Sequence, residues 1–441
     1  MTTQADVGGG DVETDVVVIG GGPAGALAAR QLAEAGRRVV VIERERFPRF
    51  HIGESMLPRT LSTLRRLGLE SPLRRLPHAV KRGAEFGMGG GSETTLFDFD
   101  RSLLNKDDET FNIERARFDQ MLLQKAETSG AQVLQGVAIR DISMVDDEQV
   151  VLSAEGRRFT GRYVIDASGQ ATLLARHKGL RKPNEEICFQ KVAYFEHVTG
   201  VRRLGGQRAG YPCFAICEEG WLWLIPLDDE RMSVGLVLDA DVARSIDVPA
   251  TEMLAWGVAR CPLIADRMGD ARLPAKNQTI ADFSYRCPPY AGPGFFLTGD
   301  AAAFLDPVFS TGVQLAMETG MRAASEIDAV LGGARTPEAA RRRYRSALRR
   351  LYKPYFQAVR MFYDPDFRDL FLQGKGPFRM AEAVIAVLTG HTMPVLPFSV
   401  CWRLKVLRCC VAMHRRRAIT TRRPRYSLVT ESQLPVDSKT G

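Results

Sequence analysis

The sequence predicts an α/β fold, and three observations support this prediction. A strand, a glycine-rich turn and a helix follow one another near the N-terminus, apolar strands of the same kind recur further along the chain, and short alternating strands lie between them. With 441 residues, 45% of them hydrophobic and 25% charged, the chain is long enough for two domains or for one domain with a large insertion.

The first predicted unit is of the Rossmann type. Residues 15–19 read DVVVI, a continuous β-branched run that is typical of a parallel strand covered on both faces. A glycine turn at residues 20–25, a helix to about residue 35 and a second strand at residues 38–43 follow. We therefore assign residues 12–180 to the first part of a dinucleotide-binding domain.

The later elements are predicted from changes in periodicity. The sequence predicts a helix at 118–129, a buried strand at 162–166, a similar strand at 294–298 and an Ala-rich helix from about 311 to 331. Short strands, including 221–226 and 231–238, predict an inserted antiparallel sheet on the substrate side. The predicted divisions are 181–284 for this sheet, 285–335 for the second part of the dinucleotide-binding domain, and 336–441 for a basic, helical C-terminal region.

The glycine turn has the residues that diphosphate binding requires. Gly20 permits a tight turn, Gly22 lets the backbone approach a pyrophosphate, and Gly25 allows the helix to pack closely on the strand. Pro23 and Ala24 open the helix, whose free N–H groups and dipole favour an anion. The alternative is a glycine turn without a ligand.

Glu43, at the end of the second strand, is placed to accept hydrogen bonds from ribose hydroxyls. The glycine pattern alone does not distinguish FAD from NAD. Two further motifs favour FAD over NAD. Gly299-Asp300 ends another buried strand, Arg115 precedes a helix, and both motifs occur in the order and spacing of a known family. Together the three motifs resemble the FAD-dependent monooxygenases and related oxidoreductases over residues 15–331. The resemblance implies FAD as cofactor, with Asp300 at its ribityl and pyrophosphate region and Arg115 also in contact with it.

A finer resemblance is to the flavin-dependent halogenases. The four matching segments are FPRFHIGES at 47–55, VKRGAEF at 80–86, WLWLIP at 221–226 and DPVFSTGV at 306–313. The resemblance implies that reduced FAD, supplied by a separate flavin reductase, and O2 convert a halide ion to hypohalous acid. Backbone N–H groups around Thr311 and Gly312 are the implied halide site.

The resemblance assigns roles to four further side chains. It makes Lys81 the catalytic lysine, which orients the electrophilic halogen and stabilises charge on the departing oxygen. Ser310 is expected to position Lys81 or to bind the flavin ring. Trp221 and Trp223 are expected to keep the substrate away from the flavin.

The roles of Lys81, Trp221 and Trp223 have structural alternatives. Lys81 would then be a surface lysine, and Trp221 and Trp223 would be core aromatics on one strand. His51 and Glu54 are expected to make structural contacts with the cofactor or the backbone rather than to transfer protons.

The predicted substrate is an electron-rich aromatic, a phenol or a pyrrole. The tryptophan-specific halogenases carry a catalytic glutamate, whereas here the first glutamate after Asp306 is Glu318, inside the predicted helix. The net charge of +8 resides in residues 403–425, which hold nine Lys or Arg and no acid. This segment is either a solvated tail, a docking surface for an acidic acyl or peptidyl carrier protein, or, ranked lower, a membrane contact. We expect no nucleic-acid partner.

The cysteines and termini indicate a cytoplasmic protein without a metal site. Eight scattered cysteines show no CxxC pair, so we expect reduced thiols. Residues 1–14 predict a disordered tail and no signal peptide. The most apolar span, 384–400, is broken by Gly390, His391 and two prolines. Two further hypotheses remain open: an FAD-dependent monooxygenase or oxidoreductase without halogenation, and a non-catalytic flavin-binding partner in a biosynthetic complex.

Overall fold

The computed structural model describes residues 10–91, 93–104, 107–184, 190–281, 284–391 and 395–429. Its α-helices are Pro23–Glu34, Pro58–Arg66, Glu70–Arg74, Arg115–Thr128, Leu173–His177, Ala240–Ser245, Met253–Ala259, Pro262–Met268, Gly312–Leu331, Pro337–Phe362, Pro365–Phe371, Met380–Leu388 and Phe398–Arg416. In the described part of the chain, no helix has both the length and the apolar character needed to cross a bilayer. Cys188 and residues 1–9 of the predicted tail lie outside the described residues.

A six-stranded sheet, here called the parallel sheet, forms the base of the fold. In spatial order its strands are Ala291–Gly292, Phe295–Leu297, Tyr163–Asp166, Val16–Ile19, Val39–Glu43 and Gln132–Gln135. All neighbours pair in parallel except the first two, which are antiparallel. The predicted strand, glycine turn, helix and strand are confirmed, and the helices predicted at 118–129 and 311–331 are present as Arg115–Thr128 and Gly312–Leu331.

The prediction of a disordered tail over residues 1–14 is wrong at its C-terminal end. Val12–Glu13 is a short strand that pairs in parallel with Arg157–Gly161 at the edge of a four-stranded sheet. The other strands of that sheet are Asp141–Val145 and Val150–Ala154. The prediction rested on the composition of the first 14 residues, which carries no signal for a strand partner that lies far along the chain.

A seven-stranded sheet, here called the mixed sheet, faces the parallel sheet across a cavity. In spatial order its strands are Gln278–Ala281, Lys191–Thr199, Arg231–Asp239, Gly220–Pro226, Cys213–Ile216, Gly83–Met88 and Thr94–Asp98. The inserted sheet is therefore present, but two of its strands come from outside residues 181–284. One pair, Cys213–Ile216 with Gly83–Met88, is parallel rather than antiparallel. The limits of the domains themselves stay predictions.

Two small sheets complete the fold. Three short strands, Lys182–Pro183, Tyr285–Arg286 and Ala303–Phe304, form one of them, and His78–Lys81 with Thr110–Ile113 forms the other.

Both faces of the mixed sheet are covered. The C-terminal helices pack on one face, where Trp221, Phe362 and Leu407 belong to one buried cluster. On the opposite face Leu236 and Trp256 belong to a separate cluster. Because neighbouring residues of a strand point to opposite faces, this two-sided cover explains why Gly220–Pro226 is buried throughout.

The basic C-terminal segment is partly folded and partly ion-paired. Arg415 pairs with Asp364 and Asp366, at the N-terminal end of helix Pro365–Phe371. Other cations of the segment have no acidic side chain in contact among the described residues; they are Arg403, Lys405, Arg408, Arg416, Arg417 and Arg422. A wholly solvated tail is therefore the wrong description, since helix Phe398–Arg416 is part of the fold.

Candidate functional site

A cavity of about 640 Å³ lies between the carboxyl ends of the parallel strands and the mixed sheet. Parallel strands present their carboxyl ends at one edge, which is where ligands of such sheets bind. The predicted site residues in its wall are Gly20, Gly22, Pro23, Ala24, Glu43, Arg115, Trp221, Trp223, Asp300, Ser310, Thr311 and Gly312. Gly25 and Lys81 are not part of the wall.

The geometry of the glycine turn explains the absence of Gly25 from the wall. A Cβ at Gly25 would lie 1.9 Å from the carbonyl oxygen of Gly20, so this glycine serves helix packing. A Cβ at Gly22 would meet only Arg49, at 3.6 Å, because that side of the turn faces the cavity. Gly20 has a φ of +99°, which favours glycine. The turn is therefore built to admit a ligand at Gly22.

Glu43 is fixed beside this turn by main-chain groups. Its Oε2 accepts a hydrogen bond from Gly21 N at 2.7 Å, and its Oε1 accepts one from Glu45 N at 2.9 Å. Each carboxylate oxygen retains a lone pair for a further donor. The side chain is thus held at the cavity wall in an orientation suited to ribose hydroxyls.

Arg115 and Asp300 both lie in the cavity wall, and their opposite charges interact. Arg115 donates two hydrogen bonds to Asp119, at 2.8 and 2.9 Å, and a third to Ile52 O at 3.0 Å, so its guanidinium is immobilised. In the described part of the chain the Asp300 carboxylate has no hydrogen-bond donor. Burial raises the pKa of Asp300 to about 7, although the positive charge of Arg115 lowers it in part.

The segment before Ser55 forms one rim of the cavity. His51 Nδ1 lies 2.6 Å from Ile52 O, and burial lowers the pKa of His51 to about 4, so its ring is neutral at pH 7. Glu54 Oε1 contacts His197 Nε2 at 2.6 Å. Burial alone would lower the pKa of His197, but the Glu54 carboxylate outweighs it and raises that pKa. These contacts agree with the structural roles expected for His51 and Glu54.

Lys81 is buried, so the surface-lysine alternative is wrong. Its side chain is only 3% exposed, and its Nζ donates hydrogen bonds to Ser55 Oγ at 2.9 Å and to Met56 O at 3.1 Å. Its Nζ also lies 5.4 Å from the centre of the Phe99 ring. Burial lowers the pKa of Lys81 to about 7. Ser55 lines the cavity, so one hydroxyl separates the cavity from the lysine.

Among the described residues the hydroxyl that hydrogen-bonds Lys81 is that of Ser55, not that of Ser310. The sequence analysis did not single out Ser55 within the FPRFHIGES segment. Ser310 instead adopts a left-handed conformation, with φ of 54°, just before helix Gly312–Leu331 begins. No atom of the described residues lies within 4 Å of a Cβ placed on Gly312, so the start of this helix faces open space in the cavity. Its free N–H groups suit an anion.

The two tryptophans belong both to the core and to the cavity wall. Trp221 is 1% exposed and Trp223 is 3% exposed, and their ring centres are 5.6 Å apart. Trp221 Nε1 donates to Tyr363 Oη at 3.0 Å, and Trp223 Nε1 donates to Ser233 Oγ at 3.1 Å. The two alternatives for these residues are therefore compatible, since core packing is what holds the rings against the cavity.

The residues of the cavity fit FAD. The glycine turn offers a cradle that a Cβ at Gly22 would fill, and Glu54 Oε2 is a buried acceptor without a hydrogen-bond donor among the described residues. Asp300 adds a second acceptor in the same wall. A ligand with hydroxyl and N–H donors and a diphosphate would satisfy all three.

Comparison with known proteins agrees with this assignment. The FAD binding domain family matches residues 13–350. A Tryptophan 2-halogenase of Chondromyces crocatus is 34% identical over 330 residues, which are 73% of this chain and 62% of that protein. The chain thus spans less than two thirds of the length of this relative.

Two further proteins are similar over more of their length. A 1H-pyrrole-2-carbonyl peptidyl-carrier-protein brominase of Pseudoalteromonas luteoviolacea is 34% identical, and the match covers 72% of this chain and 78% of the brominase. The solved structure of the flavin-dependent brominase Bmp2 superposes with a TM-score of 0.80 at 29% identity, covering 92% of this chain and 100% of Bmp2. The similarity therefore extends from the cofactor-binding unit through the mixed sheet to the C-terminal helices.

Proposed function

Since the chain belongs to the flavin-dependent halogenases, we propose that it uses reduced FAD and O2 to oxidise a halide and halogenates an electron-rich aromatic, a phenol or a pyrrole. The observation that carries this proposal is the buried Lys81, one hydroxyl away from the FAD cavity. Lys81 has no acidic partner among the described residues, and a buried ammonium of this kind is unfavourable for folding, so its presence calls for a chemical role.

FAD, when bound, supplies the reducing electrons that let O2 oxidise a halide. The glycine turn and Glu43 would hold its adenosine diphosphate half, and Asp300 its ribityl region. The start of helix Gly312–Leu331 would hold the halide through main-chain N–H groups, which need no deprotonation and attract a small anion.

Lys81 would receive the hypohalous acid on the far side of Ser55. Because its pKa is near 7, the lysine is present both as an ammonium donor and as a free amine at neutral pH. The ammonium form hydrogen-bonds the oxygen of the hypohalous acid and stabilises negative charge that develops there. Trp221 and Trp223 line the cavity on the side of the mixed sheet and would keep an aromatic substrate away from the flavin.

One side chain favours a phenol or a pyrrole over tryptophan, while the relatives include enzymes named for either kind of substrate. One relative is named for tryptophan and another for pyrrole on a carrier protein. In this chain Glu318 lies on helix Gly312–Leu331 and pairs with Arg322 at 2.7 Å, so it does not take the place of a catalytic glutamate. Electron-rich rings need less help to lose the ring proton. A carrier protein, a separate flavin reductase and a cytoplasmic location belong to the same proposal.

The test combines the purified protein with reduced FAD, O2, bromide and a reactive phenol. We expect a brominated product by mass spectrometry that depends on bromide and on FAD. Hydroxylated product without bromination would contradict halogenation and favour a monooxygenase. Retained FAD with no turnover of any aromatic would favour a binding partner instead.

A matched pair of variants locates the chemistry. Lys81→Met removes the buried ammonium, whereas Lys353→Met changes an exposed lysine on helix Pro337–Phe362. Only the first is expected to lose bromination, and both are expected to keep FAD. Equal bromination by both variants would contradict the role of Lys81.

A further inference from the structure

Asp306 is a buried carboxyl that belongs both to the cavity wall and to a chain of polar side chains behind it. It is 5% exposed and lies five residues before Thr311 in the loop that leads to helix Gly312–Leu331. Its Oδ1 accepts a hydrogen bond from Val308 N at 2.9 Å, and its Oδ2 accepts one from Tyr363 Oη at 2.8 Å. The carboxyl is thus held in a fixed orientation at the side of the cavity where the helix begins.

Tyr363 is oriented by Trp221. An indole N–H can only donate, so the 3.0 Å contact from Trp221 Nε1 makes the Tyr363 oxygen an acceptor. The phenol proton then points to Asp306 Oδ2. This arrangement suits an ionised carboxylate, and it also suits a neutral carboxyl whose proton sits on the other oxygen.

The charged groups behind Tyr363 do not neutralise Asp306 directly. Lys191 lies 4.3 Å from the Tyr363 ring centre, but its ammonium is ion-paired with Asp239. Arg368 lies 5.8 Å from the same ring centre and donates to the main chain at Phe362 O. Burial raises the pKa of Asp306 to about 6, although Val308, Tyr363 and Lys191 oppose the rise.

We propose that Asp306 takes up a proton when a halide binds at the Thr311–Gly312 helix start, and that this proton is the one consumed when the halide is oxidised. The inference deepens the proposed function and rests on it. An ionised carboxylate and a halide in the same water-poor wall repel each other, so halide binding favours the neutral carboxyl.

The stoichiometry of the reaction requires such a proton. Reduced flavin, O2, one halide ion and one proton give oxidised flavin, water and one molecule of hypohalous acid. Two electrons come from the reduced flavin and two from the halide, and they reduce the two oxygen atoms of O2. The O–O bond breaks, the halogen–oxygen bond forms, and the proton from Asp306 goes to the oxygen that leaves as water.

The test measures bromide binding to the oxidised, FAD-bound protein at several pH values, from the change in flavin absorbance. We expect the Kd to be constant below about pH 6 and to rise about tenfold per pH unit above it, roughly 50-fold between pH 6 and pH 8. Proton uptake, followed with an indicator dye in weak buffer, is expected to approach one per bromide above pH 7. A Kd independent of pH between 5 and 8, or no bromide binding at any pH, would overturn the inference.

Three variants assign the proton to Asp306. Asp306→Asn is expected to remove the rise in Kd that begins near pH 6, while Asp266→Asn, at a side chain that is 81% exposed, keeps it. Tyr363→Phe is expected to move the midpoint to higher pH, because the phenol hydrogen bond stabilises the ionised carboxylate. Unchanged pH dependence in Asp306→Asn, or an unchanged midpoint in Tyr363→Phe, would refute the assignment.

If Asp306→Asn does not fold, the shift of the midpoint in Tyr363→Phe decides whether Asp306 takes up the proton. The bromination assay on the unmodified protein is independent of these measurements. A protein that brominates a phenol but binds bromide without taking up a proton would therefore disprove the role of Asp306 and leave the proposed function intact.

Discussion

Replacing Lys81 by Met separates the chemistry of this residue from its effect on folding. Burial lowers the pKa of Lys81 from its ordinary value of 10.5 to about 7. At ~1.4 kcal/mol per pH unit, the charged lysine destabilises the folded state by about 5 kcal/mol when the pH is below 7. Methionine has a similar length and no charge, so the variant loses this penalty. It also leaves the Ser55 hydroxyl and the Met56 carbonyl without their donor, at about 1–3 kcal/mol each.

The sign of the pH dependence follows from the lowered pKa. Between about pH 7 and pH 10.5 the unfolded chain binds a proton at Lys81 that the folded protein does not, so the folded protein gains stability as the pH rises. Over the two units from pH 7 to pH 9 the gain is about 2 kcal/mol, because the folded lysine is still half protonated at pH 7, and Lys81→Met lacks it.

The assay is urea unfolding of both proteins at pH 7, 8 and 9, followed by circular dichroism, together with FAD titration and the bromination assay. We expect the variant to keep FAD and to lose bromination by about 10²-fold or more. Lys353→Met is the control for a lysine substitution elsewhere. A constant difference in free energy of unfolding across this pH range would show that the pKa of Lys81 is not lowered. Bromination at the normal rate would show that Lys81 does no chemistry.

Four further predictions concern the cofactor site and the basic surface. Gly25→Ala is expected to destabilise the fold by about 3 kcal/mol or more in thermal unfolding, because its Cβ would lie 1.9 Å from Gly20 O. Gly22→Ala is expected to leave the Tm unchanged and to weaken FAD binding at least about tenfold. A lower Tm with unchanged FAD binding would contradict the ligand role of the turn. The pKa of Asp300 is raised to about 7 in the folded protein, so the neutral carboxyl stabilises the fold at low pH and this stabilisation is lost as the pH rises from about 4 to 7. The flavin-free Asp300→Asn variant is expected not to lose stability over this pH range. Denaturant unfolding of the flavin-free protein checks this, and an equal slope in both proteins would refute it. The double variant Lys405→Glu and Arg408→Glu is expected to abolish retention on an immobilised acidic carrier protein while bromination of a free phenol continues, and unchanged retention would place the carrier elsewhere.

The cofactor-binding unit could be predicted from the sequence because its determinants are local. The strand Val16–Ile19, the glycine turn and the helix that follows occupy consecutive residues, and each glycine has a steric reason that its own neighbours supply. Glu43 ends the adjacent parallel strand, so its place beside the turn follows from the βαβ connection. Even the start of helix Gly312–Leu331 was predicted within one residue.

Sequence reasoning was wrong where contacts join distant segments. The strands Gly83–Met88 and Thr94–Asp98 join the mixed sheet through a parallel pair with Cys213–Ile216, and no periodicity within 181–284 indicates such partners. In the same way Val12–Glu13 is a strand only because Arg157–Gly161 lies beside it.

The candidate flavin-binding residues were predictable from local sequence, since turn chemistry and strand order are properties of neighbouring residues. What surrounds Lys81 and Asp306 depends on the tertiary packing of distant segments. Ser55 is 26 residues from Lys81, and Tyr363 is 57 residues from Asp306 and 142 from Trp221. Burial lowers the pKa of Lys81 to about 7 and raises the pKa of Asp306 to about 6, and this burial depends on how the sheets and C-terminal helices pack together.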